Sequence, residues 1–180
     1  MIPPHLNPAT GKRDDGGVGL KLSSKDALEY VSWLVNPNRL FDVALTTYDF
    51  DLVTLVATQT QKDPKEYVPY LKELKNFASQ DYMKFKVHLD LKNFDKALKK
   101  LSRSEDDSHF EEALSLIKKQ RLYKKALDCY ASQPNRLNAI NEAFGDYLDQ
   151  RGFLDEAGSM YMAGQALEKA QDAYLKALNV

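Results

Sequence analysis

The sequence predicts an all-α fold, an α-solenoid of antiparallel helix pairs, on three observations. Apolar residues recur with helical periodicity from about residue 23 almost to the C-terminus, leaving no strand longer than an isolated bridge. Capping residues punctuate that pattern, which divides it into about ten or eleven helices. In the second half, Ala97, Ala126 and Ala157 return at spacings of 29 and 31 residues, the range of a helix-turn-helix repeat. A length of 180 residues suffices for one sizeable domain or a short repeat array.

Residues 1–22 concentrate three prolines and four of the eight glycines, with few large apolar side chains. Such a segment cannot bury enough surface to offset its ordering entropy, so it is expected to be a flexible lead-in to a repeat domain at 23–180. The first helix then starts with Ser23 three before Asp26, a capping-box spacing, and places Leu28, Val31, Leu34 and Val35 on one face. The next has Asn36 as its cap and Pro37 at the first helical position, where a missing N–H costs nothing. Asp49 caps a third helix, with Leu52, Leu55 and Val56 expected on its buried stripe. Asp63 and Pro64 repeat the cap-and-proline start, with Glu66 at capping-box distance. Pro69 lies beyond the first turn, forfeits the bond to the Lys65 carbonyl and is expected to kink the helix or tighten its first turns.

From Ser79 onward the helices pair: DYMKFKVHLDL with NFDKALKKL, FEEALSLIKKQR with LYKKALDCY, AINEAFGDYLDQR with GFLDEAGSMYMAG. Each second member carries an alanine and, four residues later, a large residue: Ala97 with Leu101, Ala126 with Tyr130, Ala157 with Tyr161. Ala170 with Tyr174 begins another. The small residue lets two helices approach and the large one fills the next groove. Phe144, Gly145, Leu148, Ala157, Tyr161 and Gly164 follow tetratricopeptide spacing. Asn141 stands where that pattern has an aromatic and Lys169 where it has proline. The array is therefore a degenerate tetratricopeptide-like one.

Little in the chain suggests chemistry. His5, His88 and His109 sit in unrelated contexts, none at metal-ligand spacing, and His88 is expected to be a partly exposed helix residue. Cys129 is alone, so no internal disulfide can form, and it reads as a buried structural thiol. With no secretory-type segment it points to a reducing compartment, the cytoplasm and also the nucleus. DDGGVGL lacks the ending of a phosphate loop. The expectation is no enzyme, no catalytic residue, no metal and no cofactor. No apolar run is long enough to span a bilayer, so no membrane contact is expected.

The net charge of −1 hides an uneven distribution. Residues 62–103 hold eleven Lys and Arg against six Asp and Glu, and Lys118, Lys119, Arg121, Lys124 and Lys125 follow. From residue 128 onward eight acids outnumber four bases. Lys96, Lys99 and Lys100 are the candidate contacts for RNA phosphates or an acidic partner. A solvated helix face gives the same composition, and the absence of an RNA-reading motif favours it.

The stretch TYDFDLVTLVATQTQKDPKEYVPYLKEL, with LVNPNRLFDVAL before it, resembles the C-terminal helical region of the largest, scaffold-subunit family of the Elongator complex, also called the IKAP family. There a YDFDLV helix precedes SQKDPKEYLPFL, which TQKDPKEYVPYL matches with both prolines. LKNFDKALKKL, LYKKALDCY and the GDYL and AGSMY segments have counterparts in the same order, so the resemblance covers residues 28–178. Residues 1–22 show no match, and NPNRLFD departs from a more acidic family version.

The resemblance implies a non-catalytic scaffold segment of a complex that modifies the wobble uridine (U34) of transfer RNA. A separate subunit of that complex carries the radical S-adenosylmethionine and acetyltransferase-like chemistry. Implied partners are the other Elongator subunits, the catalytic one included. Transfer RNA is implied indirectly or through the basic central surface, and a homodimer through a region outside this chain. A second function class stays open, a stand-alone tetratricopeptide-like module that binds peptides in a groove.

Overall fold

The computed structural model describes residues 24–104 and 106–179, without the side chains of 24–26. The lead-in at 1–22 and the Ser23 capping box fall outside the described residues. Among those described, eleven helices and no strand are found: α1 (Ser24–Leu34), α2 (Pro37–Leu45), α3 (Phe50–Gln59), α4 (Pro64–Asn76), α5 (Gln80–Asp90), α6 (Phe94–Leu101), α7 (Asp107–Gln120), α8 (Tyr123–Cys129), α9 (Pro134–Asp149), α10 (Leu154–Ala163) and α11 (Leu167–Leu178).

Two kinds of helix start occur, and from α8 onward none has a side-chain cap. Side-chain caps open α2 to α5 and α7, where Asn36, Asp49, Asp63, Ser79 and Asp106 accept backbone N–H bonds. The starts of α6, α8 and α10 have no side-chain cap. Each instead follows a left-handed residue, Lys92, Arg121 or Gly152, that ends the preceding helix. The next amide then reaches back five residues, as Asn93 to His88 at 2.8 Å, Leu122 to Ile117 at 3.0 Å and Phe153 to Leu148 at 3.0 Å. Gln61, Lys92, Arg121 and Gly152 adopt this conformation at spacings of 31, 29 and 31 residues. Each of the last three stands five before a repeat alanine. The turn is thus as regular as the alanines, and its phase reaches back to the junction of α3 and α4.

Packing joins successive helices and also skips one: α6 meets α8, and α7 meets α9, as in a stacked array of pairs. Three apolar cores result. The first holds Phe41, Val53, Val56, Leu71 and Leu74, the second Leu98, Leu101, Ile117, Tyr130 and Ile140, the third Ala157, Tyr161, Ala170 and Ala173. Helix α5 links the first two, with Met83 and Val87 in one and Phe85 in the other.

Several local expectations are corrected. On α3 the buried residues are Val53, Val56 and Ala57, while Leu52 and Leu55 are half-buried, a stripe rotated by one position. The apolar face of α1 is largely unpacked, with Trp33 83% and Leu34 67% exposed. The Glu66 carboxylate does not close a capping box, since it pairs with Lys62 at 3.5 Å, one turn back. Pro69, where a bend is expected, lies exposed inside α4, which is one element. Helix α9 begins five residues before the predicted AINEAF start, because Pro134 is preset for a first turn.

The two departures from tetratricopeptide spacing acquire structural roles. Asn141 is buried, and a Cβ at Gly164 would lie 3.2 Å from its own Cβ and 2.8 Å from the Asn138 carbonyl. A small residue at 141 and glycine at 164 let α9 and the end of α10 touch. Lys169 reaches from α11 to Glu142 and Asp146 of α9, at 2.8 and 2.9 Å. Those carboxylates hold its ammonium well above the usual lysine range. An ion-pair clasp replaces the proline stop.

Candidate functional site

Helix α6 buries Ala97, Leu98 and Leu101, which leaves Lys96, Lys99 and Arg103 exposed and Lys100 half-buried. The three lysines singled out in the sequence come together. With Tyr48, His88 and Arg103 they line a hollow of about 380 Å³. A second hollow, of about 830 Å³, shares Lys99 and Arg103 and continues to Lys125, Cys129, Ser132 and Arg136. The two form one cationic trough across α6. Of the other basic residues in the sequence pattern, Lys125 joins it. Lys118 and Lys119 line a separate hollow with Glu111, and Lys86 is committed to Glu112 at 2.7 Å.

The floor at one end is a contact between units that the sequence did not disclose. Tyr48, left-handed at φ 61°, places its hydroxyl 2.8 Å from His88 Nε2. The rings meet edge to face at 6.0 Å. The Lys84 and Lys100 ammoniums lie 5.4 and 5.7 Å from the Tyr48 centroid. His88 is only 4% exposed, not the partly exposed residue expected. Burial, then Lys96 and Lys100, depress its pKa, so the imidazole is neutral near pH 7. No local sequence pattern could have paired residues forty positions apart.

Most neutral polar groups around the trough are already engaged. Thr46 Oγ1 donates to the Val43 carbonyl at 2.7 Å, and Ser102 Oγ to Lys99 at 3.2 Å. Gln133 Nε2 donates to the Ser102 carbonyl at 2.9 Å. Arg136 donates to the Ser104 carbonyl at 2.6 Å and pairs with Asp107 at 3.0 Å. By contrast, Lys96, Lys99, Lys100, Arg103 and Lys125 form no ion pair with any described residue. One carboxylate, Asp128, lines the far end.

The trough can attract anions, and it holds no arrangement for bond chemistry. Cys129 is half-buried, less enclosed than expected, and burial pushes its thiol pKa up, away from the reactive thiolate. His109 stacks on Tyr82 at 4.2 Å and meets Ser104 Oγ at 2.7 Å, a packing role. Among the described residues no three His, Cys, Asp or Glu converge as a metal would require. None of the described helices is long and apolar enough to cross a membrane.

Two family models match consecutive parts of the chain: ELP1 alpha-solenoid over residues 12–74 and ELP1 TPR domain over residues 82–180. Putative elongator complex protein 1 of Xenopus laevis is 42% identical over 158 residues, 88% of this chain and 13% of its own length. Elongator complex protein 1 of Rattus norvegicus is 42% identical over 86% of this chain and 11% of its own. The Saccharomyces cerevisiae protein of that name is 32% identical over 82% of this chain and 11% of its own. The chain thus spans 11–13% of the length of these relatives.

Proposed function

The chain belongs to the ELP1 family of Elongator complex proteins, and from that premise we propose that it is a non-catalytic scaffold segment supporting assembly of Elongator. In this reading it helps position a catalytic subunit for modification of the transfer RNA wobble uridine. Its partners are the other Elongator subunits, with Lys96, Lys99 and Lys100 as a contact face for transfer RNA or an acidic subunit surface.

The supporting observation is architectural. Helices stacked through three linked cores leave long outer faces free, because each unit contacts only its neighbours. Such faces join large subunits without any group converging on a reacting atom.

The test uses the whole protein in its complex. Ala157, fully buried between helices, changed to Leu should force α10 from its neighbours. Recovery of the complex and the level of modified transfer RNA should then fall together. Loss of modification with complex recovery unchanged would overturn the scaffold reading.

A further inference from the structure

We propose that the contact between His88 and Tyr48 is an acid-opened latch. It holds the α2–α3 turn on the α5–α6 pair while the imidazole is neutral and releases the turn when the imidazole takes up a proton. Tyr48 lies in the part matched as alpha-solenoid and His88 in the part matched as TPR domain, so the latch spans their junction.

His88, on α5, is 4% exposed, and its Nε2 lies 2.8 Å from the Tyr48 hydroxyl. Its Nδ1 is buried and has no hydrogen-bond partner. A neutral imidazole carries one N–H and one lone pair. An orphaned acceptor is tolerated better than an orphaned N–H, so Nε2–H donates to Tyr48 and Nδ1 keeps the bare lone pair. The imidazolium carries a proton on both nitrogens. The added one would sit on Nδ1, a buried cationic donor with nothing to accept it.

The surroundings add to that penalty. Helix α6 brings Lys96 and Lys100 towards His88, and Lys99 and Arg103 line the same hollow. Lys84 of α5 lies over the Tyr48 ring. The α2–α3 turn contributes only Thr46 and Tyr48 to this lining. No carboxylate is among the charges that act on His88. Asp81 of α5 acts on Tyr48, where it helps burial to raise the phenol pKa. Asp90 accepts from Tyr70 of α4 at 2.8 Å, on the side that Glu73 of α4 and Asp42 of α2 also face. Glu112 of α7 is held by Tyr82 and Lys86.

Burial and the two lysines lower the His88 pKa, so the latched form binds fewer protons than the open one. The stabilisation by the latch is complete above about pH 6.5, the ordinary histidine value, and is lost as the pH falls from there through the lowered one. Opening is local. Met83 and Val87 keep α5 in the first core, and the Tyr70–Asp90 bond does not involve His88.

The experiment is hydrogen exchange of the chain at about pH 7.5 and about pH 5.5, corrected for intrinsic rates, together with an NMR titration of His88. Protection at the Thr46, Thr47 and Tyr48 amides should fall about three- to tenfold at the lower pH, the ceiling set by an open-state pKa near 6.5. Helices α9 to α11 should change less than about twofold. His88→Gln keeps a side-chain N–H donor and cannot titrate, so it should hold protection near the wild-type level and reduce the pH effect to less than about twofold. Tyr48→Phe removes the other half of the bond. It should expose the same amides at pH 7.5 and move the His88 titration up towards the ordinary value.

A wild-type His88 that titrates at or above about 6.5 overturns the latch. So does an undiminished pH effect in His88→Gln, or a loss of protection shared equally by α9 to α11. Exchange in Tyr48→Phe equal to wild type at pH 7.5 overturns it too. None of these outcomes bears on the scaffold reading, which is decided by complex recovery.

Discussion

Tyr130 and Tyr161 stand four residues after the alanine of their units, yet their hydroxyls fare differently. Tyr161 donates to Asp146 Oδ1 at 3.0 Å. Tyr130 is fully buried against Phe110, its hydroxyl has no partner, and burial raises its pKa to about 12. The residue 31 positions before Asp146 is Ser115, which is exposed and offers no carboxylate. A stranded buried hydroxyl costs more than a missing one. Tyr130→Phe should therefore stabilise the chain by about 1 kcal/mol, and Tyr161→Phe should destabilise it by about the same amount. Urea unfolding of the two variants checks the opposite signs.

Helix α4 shows how one element can be strongly started and then weakened. Asp63 accepts from the Lys65 amide at 2.9 Å, Pro64 occupies the first position, and Lys62 pairs with Glu66 across the start. Pro69 then removes a backbone bond in mid-helix on an exposed face. Tyr67, Leu71 and Leu74 hold the helix to the first core regardless. Asp63→Ala should cost about 1 kcal/mol and Pro69→Ala should return about 1–3 kcal/mol, both read as shifts in melting temperature. A destabilised Pro69→Ala variant would mean that the proline fits α4 to its neighbours.

At the scale of the whole molecule, three cores linked through shared helices make a quasi-linear chain of stabilities. The last unit is the most dependent on close approach. A Cβ at Gly145 or Gly158 would stand 2.6 Å from the ring of Tyr161, which is buried, or of Tyr174, which is exposed. At Gly164 it would meet backbone, the Asn138 carbonyl at 2.8 Å and the Glu142 amide at 2.9 Å. Gly164→Ala should therefore loosen α10 and α11 selectively. Hydrogen exchange should show their protection lost while that of α2 to α5 persists. Uniform loss would show that the array unfolds as one cooperative body.

The sequence by itself determined the helical class, the three capped starts at Asn36, Asp49 and Asp63, and the repeat spacing. Each of these is written within a few residues: a cap needs its own N–H three positions on, and a buried alanine needs its neighbour one turn later. It also determined that Lys96, Lys99 and Lys100 share a helix side. What it could not determine depended on distant partners. The His88 contact with Tyr48 spans forty residues, the Lys169 clasp bridges α9 and α11, and the union of Lys99 with Lys125 in one trough requires α6 and α8 to lie side by side. The exposed face of α1 belongs with them, because amphipathic spacing tells which side of a helix is apolar and not whether another helix covers it.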